Sequence, residues 1–197
     1  MKAGDLQRIE AWAPDLDGVY ALSDLKVLFG AQTVAALYKK LQGFVSEGIL
    51  VKVKRGVYAR PDASLRVVAS RMCPDSYISL GGILAESAII GSVPGRCVQA
   101  VKVGPPRRFA CALGTIEFLS ICPKLFFGFG MVGGVRYATP EKAFLDACYF
   151  TWKGRKLSFD LDTDVDRSRL DRTAIEDSLS LYDRRFVAFY RRITGNG

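Results

Sequence analysis

The chain contains no histidine. That absence removes the commonest general base, the Ser-His-Asp and Cys-His arrangements and the most frequent side-chain metal ligand together. Cysteine is sparse as well. Cys73, Cys97, Cys111, Cys122 and Cys148 form no C-x-x-C pair, so neither a zinc site nor a thioredoxin-like motif is spelled out. Their odd number and wide spacing point to buried, reduced thiols in a cytosolic protein. Long apolar runs are missing too. The most apolar stretch, LSICPKLFFGFGMVGG, is broken by Pro123, Lys124 and its glycines, which excludes a bilayer-spanning helix. The opening MKAGDLQRIE lacks the apolar run of a signal peptide.

What is present fits a globular chain of one or two domains. The 197 residues are long enough to bury a core, and 49% apolar against 24% charged residues argues against general disorder. The net charge is +8, which favours an anionic partner, most often nucleic acid. The excess is uneven. Between residues 31 and 60, Lys39, Lys40, Lys52, Lys54, Arg55 and Arg60 face Glu47 alone, whereas from Glu141 onward 11 cations are matched by 10 acids.

The first section, residues 1–62, reads as helices followed by a hairpin. Leu6, Ile9 and Trp12 mark a first amphipathic helix. Ser23 is placed to cap a second, which carries Leu25, Leu28 and Phe29 and stops at Gly30. A third follows with Val34, Leu37, Leu41, Phe44 and Val45 on one stripe and Gly48 as its terminator. Then comes ILVKVKRGVYAR, which alternates Val51 and Val53 with Lys52 and Lys54, and turns at Arg55-Gly56 before Tyr58. Helix, helix, turn, longer helix, hairpin is the plan of a winged helix-turn-helix. Opposite the apolar stripe of the third helix lie Gln32, Ala36, Lys39, Lys40 and Gly43, with Thr33 and Ala35 near its start. Small and amide side chains flanked by cations suit base edges and phosphates in a major groove. The competing reading is a solvated helix face beside an edge hairpin whose lysines only prevent pairing.

From residue 63 to 197 the pattern is mixed α+β. Ser79 is placed to cap a helix through Leu80, Ile83, Leu84 and Ala88. Strands are expected at RCVQAVKVG, 108–113, 116–121 and 135–137. Thr139-Pro140-Glu141 is a strong helix start. The tail places Phe186, Phe189, Tyr190 and Ile193 at helical spacing as core, beside a solvated rim of arginines. Pro61-Asp62 is the expected joint.

Two signatures of chemistry fail on context. Gly128 to Gly133 matches G-x-G-x-x-G, but no helix opens at the third glycine and no acid stands about 20 residues on, so a glycine-rich turn between strands accounts for it. Asp160, Asp162, Asp164 and Asp166 alternate like a calcium loop, yet Val165 and Asp171 occupy the places of the required Gly and Glu. No cofactor, metal or catalytic residue is expected.

GILVKVKRGVYARPD, YISLGGILAESAIIGSVPG and YATPEKAFLDACYF together resemble the AbiEi antitoxins of bacterial type IV toxin–antitoxin systems, over about residues 5–190. The resemblance implies an amino-terminal winged helix that binds repeats upstream of its own operon and represses it. It also implies a carboxyl-terminal domain acting against a nucleotidyltransferase-type toxin without a tight complex. Gln32, Thr33, Ala36, Lys39, Lys40, Lys52, Lys54 and Arg55 are then the expected contacts to double-stranded DNA, in a cytoplasmic regulator that is not an enzyme. The alternative is a protein-interaction module without specific DNA recognition.

Overall fold

A computed structural model describes residues 3–195, and it is a mixed α+β fold. The described residues divide into two compact units, 3–74 with 108–116 and 75–107 with 117–195. The first unit therefore runs past the expected joint at Pro61-Asp62 to Pro74.

In the first unit α1 (Ala3–Leu16) is followed by β1 (Val19–Ala21), α2 (Leu22–Phe29), α3 (Val34–Ser46), β2 (Val51–Lys54), β3 (Val57–Ala59) and α4 (Leu65–Met72). The strands form an antiparallel sheet in the order β1-β3-β2, with Tyr20 opposite Tyr58 and Lys52 also opposite Tyr58. β1, only three residues long, carries no legible alternation and was not expected. The core is the joint product of helices and sheet: Ile9, Tyr20, Leu25, Leu28, Phe29, Leu37, Leu41, Phe44, Leu50 and Tyr58 form one buried cluster. The Tyr20 hydroxyl donates to the Ile9 carbonyl at 2.9 Å and so satisfies the one polar atom that β1 brings inside.

Two caps differ from expectation. Ser23 lies within α2, and it is the Asp24 carboxylate that accepts the Ala21 N–H at the helix start, at 2.8 Å. Ser79 does not cap a helix either. That helix, α5 (Gly81–Glu86), is short, and Ala88 lies beyond it with φ +54°.

The remaining elements are β4 (Ser76–Ile78), α5, β5 (Cys97–Val103), β6 (Arg107–Cys111), β7 (Gly114–Ile121), β8 (Phe129–Val132), β9 (Val135–Ala138), α6 (Pro140–Trp152), α7 (Arg172–Leu179) and α8 (Arg184–Thr194); of these, β6 from Arg108 and β7 up to Ile116 belong to the first unit and the rest to the second. The sheet order is β6-β7-β5-β4-β9-β8, with β4 and β9 parallel and β8–β9 a hairpin. Gly133 and Gly134, both at positive φ, make its two-residue turn. The middle four residues of the G-x-G-x-x-G match are thus strand β8, and its last glycine opens the hairpin turn. α7 was not expected, and on α8 only Phe186 and Tyr190 of the expected core set are buried, while Phe189 and Ile193 stay partly exposed.

At the centre of this unit sits a sealed polar cluster. Lys142, 2% exposed, and Asp146, 0% exposed, face each other one helical turn apart on α6, with Nζ 2.5 Å from Oδ1. The other oxygen of Asp146 accepts from the Ser79 hydroxyl at 2.7 Å and the Tyr77 hydroxyl at 2.9 Å. Burial pushes the Asp146 carboxyl up, opposed first by the Lys142 ammonium and then by the two hydroxyls. The Lys142 ammonium also lies 4.7 Å from the Phe127 ring centre and 3.3 Å from the Tyr182 hydroxyl. Gly128 completes the wall, because a Cβ there would stand 3.0 Å from the lysine stem. Removing one partner of such a pair leaves an uncompensated buried charge. Lys142→Met should therefore cost about 3–5 kcal/mol of stability, measured by urea denaturation, and the double variant Lys142→Met/Asp146→Leu should regain much of that loss.

Candidate nucleic-acid interface

The site is assembled from α2, α3 and the β2–β3 hairpin. Gly30, at φ +57°, ends α2 in the left-handed conformation, and the Ala31 N–H reaches back to the Lys26 carbonyl at 3.2 Å. Three residues later Thr33 starts α3, its hydroxyl accepting the Ala36 N–H at 3.2 Å. The two helices are held face to face by Phe29 stacked on Phe44, with ring centres 5.4 Å apart.

Packing uses a narrower stripe of α3 than the sequence suggests. Leu37, Leu41 and Phe44 are buried, but Val34 is 48% and Val45 36% exposed. With roughly 100° between successive residues, the three buried positions define one side and leave Ala35, Lys39, Gln42 and Ser46 pointing away from it; all four are exposed. Gln32, Thr33 and Ala36 are exposed at the amino-terminal end. Among the expected contacts the structure thus groups Gln32, Thr33, Ala36 and Lys39 on one open surface. Tyr38, Ala35 and Gln42 join it. Gln42 could have been found by extending the outward face of α3 one further turn.

Lys40 is set apart from that group. Its ammonium bonds to Asp5 on α1 at 2.8 Å and sits 4.5 Å over the Phe29 ring. It closes α1 onto the α2–α3 pair, a role that needs tertiary contact and has no trace in helical spacing.

The hairpin keeps its charges outward unevenly. Val53 is buried, Lys52 and Arg55 are exposed, and Gly56 at φ +80° makes the turn, its carbonyl accepting the Leu22 N–H at 2.9 Å. The register shifts between Lys52 and Lys54, so the simple Val-in, Lys-out alternation is interrupted. Lys54 is half-buried, with its ammonium 5.5 Å over the ring of Phe109 in the 108–116 segment of the same unit. Between α3 and β2 lies a cavity of about 300 Å³ lined by Tyr38, Leu41, Gln42, Val45, Lys52 and Tyr58. Burial raises the Tyr58 phenol above its ordinary range, with Tyr38 adding to the rise.

This surface can do electrostatic and hydrogen-bonding work. It offers exposed cations at Lys39, Lys52 and Arg55, an amide pair at Gln32 and Gln42, and small apolar groups between them. Among the described residues no cluster of acids or cysteines could hold a metal ion, and no helix is long and apolar enough to cross a membrane. All five cysteines are free thiols. The aspartates near Asp160 form a turn, Asp160 accepting the N–H groups of Asp162 and Thr163. No protein-family model matches this chain, and no curated protein matches it.

Lys40→Met should lower the stability of the protein by about 1–2 kcal/mol, because Asp5, only 11% exposed, loses its partner. Thermal unfolding monitored by circular dichroism checks this, and Lys39→Met at the exposed neighbour should leave the transition unchanged.

Proposed function

We propose that this protein is a DNA-binding transcriptional regulator whose first unit is a winged helix-turn-helix, with α3 the helix that enters the major groove and the β2–β3 hairpin the wing. The observation that carries the reading is the order α1-β1-α2-α3-β2-β3 around a β1-β3-β2 sheet, joined to an α3 that buries three residues and leaves an amide-bearing, lysine-flanked face open. A groove-entering helix needs that division: apolar residues to fix it on its scaffold, and small or amide side chains beside cations for bases and phosphates. Lys39, Lys52 and Arg55 take the phosphate contacts in this reading. Lys40 serves the scaffold, and Lys54 is shared with Phe109.

The resemblance to the AbiEi antitoxins extends the proposal. The protein acts in the cytoplasm as an autorepressor at repeats upstream of its own operon, and as the antitoxin to a nucleotidyltransferase-type toxin without a tight complex. Its second unit works by binding and not by catalysis. The absence of histidine and the enclosure of Lys142 and Asp146 among hydrogen-bond partners support that view. A second reading, a protein-interaction module, draws on the apolar lining of the groove at Tyr38, Val45 and Tyr58.

Fluorescence anisotropy of the full chain on its own upstream duplex and on a scrambled one tests the proposal. Preference for the upstream duplex should persist at near-physiological salt, with log affinity falling by about 0.9 per log salt for each phosphate contacted. Lys39→Glu or Lys52→Glu should weaken binding and reduce that slope by about 1. Equal, salt-fragile binding to both duplexes would reduce the hairpin to an electrostatic patch and favour the protein-partner reading.

A further inference from the structure

The chemistry of the open face of α3 is unusually one-sided for a base reader. From Ala31 to Ser46 there is no arginine, asparagine, aspartate or glutamate. Guanine is most often read by a bidentate arginine or lysine at O6 and N7, and cytosine by a carboxylate accepting from its amino group. The helix carries no carboxylate and no guanidinium, and one of its two ammonium groups is committed to Asp5. The other, on Lys39, stands about a full turn beyond Ala35, where a flanking phosphate contact is natural.

What remains is suited to the other base pair. Gln32, exposed ahead of the helix, is an amide of the kind that pairs with adenine at N6 and N7. Val34, Ala35 and Ala36 are consecutive and exposed, Val34 at 48%. The Thr33 hydroxyl accepts the Ala36 N–H, and its methyl offers a further apolar contact beside these three residues. An exposed valine at the tip of a helix gains nothing from water. Against the C5 methyl of thymine it gains apolar burial. The two alanines add a second effect, since short side chains let the helix backbone come close to the base edges.

We infer that α3 reads A·T base pairs in the major groove, with Val34, Ala35 and Ala36 packing on thymine methyl groups and Gln32 pairing with adenine. This rests on the winged-helix reading and names the sequence class that such a helix selects.

The experiment begins with the full chain selecting duplexes from a pool with a randomised core at near-physiological salt. The selected core should be rich in A·T pairs at the positions that resist randomisation. The best duplex is then resynthesised with deoxyuridine in place of every thymidine, which keeps the pairing and the phosphates and removes only the methyl groups. Affinity should fall by about fourfold for each methyl buried. Val34→Ser, at an exposed position that should not disturb the fold, should weaken binding to the thymidine duplex and leave the deoxyuridine duplex nearly unaffected. That non-additivity separates direct contact from any change in duplex shape. A selected core of G·C pairs, or sequence-specific binding that is indifferent to deoxyuridine and to Val34→Ser, overturns the inference while leaving the winged-helix reading standing. No sequence preference in the selection at all removes both.

Discussion

The stacking of Phe29 on Phe44 holds α3 against α2, and most of what the first unit can do depends on that contact. Because Leu37, Leu41 and Phe44 point to α2 and the sheet, the opposite side of α3 has nothing from its own unit to cover it. Lys40 reinforces the arrangement. Its ammonium over Phe29 and against Asp5 ties α1 into the same core, so one of the two adjacent lysines serves the scaffold and the other stays exposed. Two neighbours of identical chemistry are thereby given different work by geometry alone.

The second unit is organised around a different constraint. Asp146 is fully enclosed, and a carboxylate in that position requires donors on each lone pair. It obtains them from its own helix through Lys142 and from the strand before α5 through Tyr77 and Ser79. The demand explains local oddities nearby. Leu80 holds a positive φ of 61° immediately after Ser79, and Gly128 must be glycine-sized because the Lys142 stem passes at contact distance. An enclosed network of this kind rigidifies a fold, and all its members have partners, so it is a different object from an open catalytic pair.

Much of this was legible in the chain. The apolar period of α3, the stop at Gly30, the turn at Arg55-Gly56 and the Thr139-Pro140 helix start all rest on local rules, and each element is where those rules place it. The expected exposed set Gln32, Thr33, Ala36 and Lys39 also lies together, since exposure on an amphipathic helix follows from spacing. The losses have one cause. β1 is a strand only because β3 pairs with it, Ser79 leaves its expected cap because Asp146 takes its hydroxyl, and Lys54 turns to Phe109, which is more than fifty residues away.

The sequence by itself determined the helix-helix-hairpin order of the opening section, the amphipathic character of α3, the local concentration of positive charge and the exclusion of histidine chemistry. Those properties depend on residue identity over a few turns of chain. Tertiary structure alone decided which of the cations stay available, how narrow the buried stripe of α3 is, and that a lysine and an aspartate four residues apart on α6 are sealed inside the fold. Each of those outcomes is a contact between residues distant in sequence, and no local pattern encodes where a distant partner will stand.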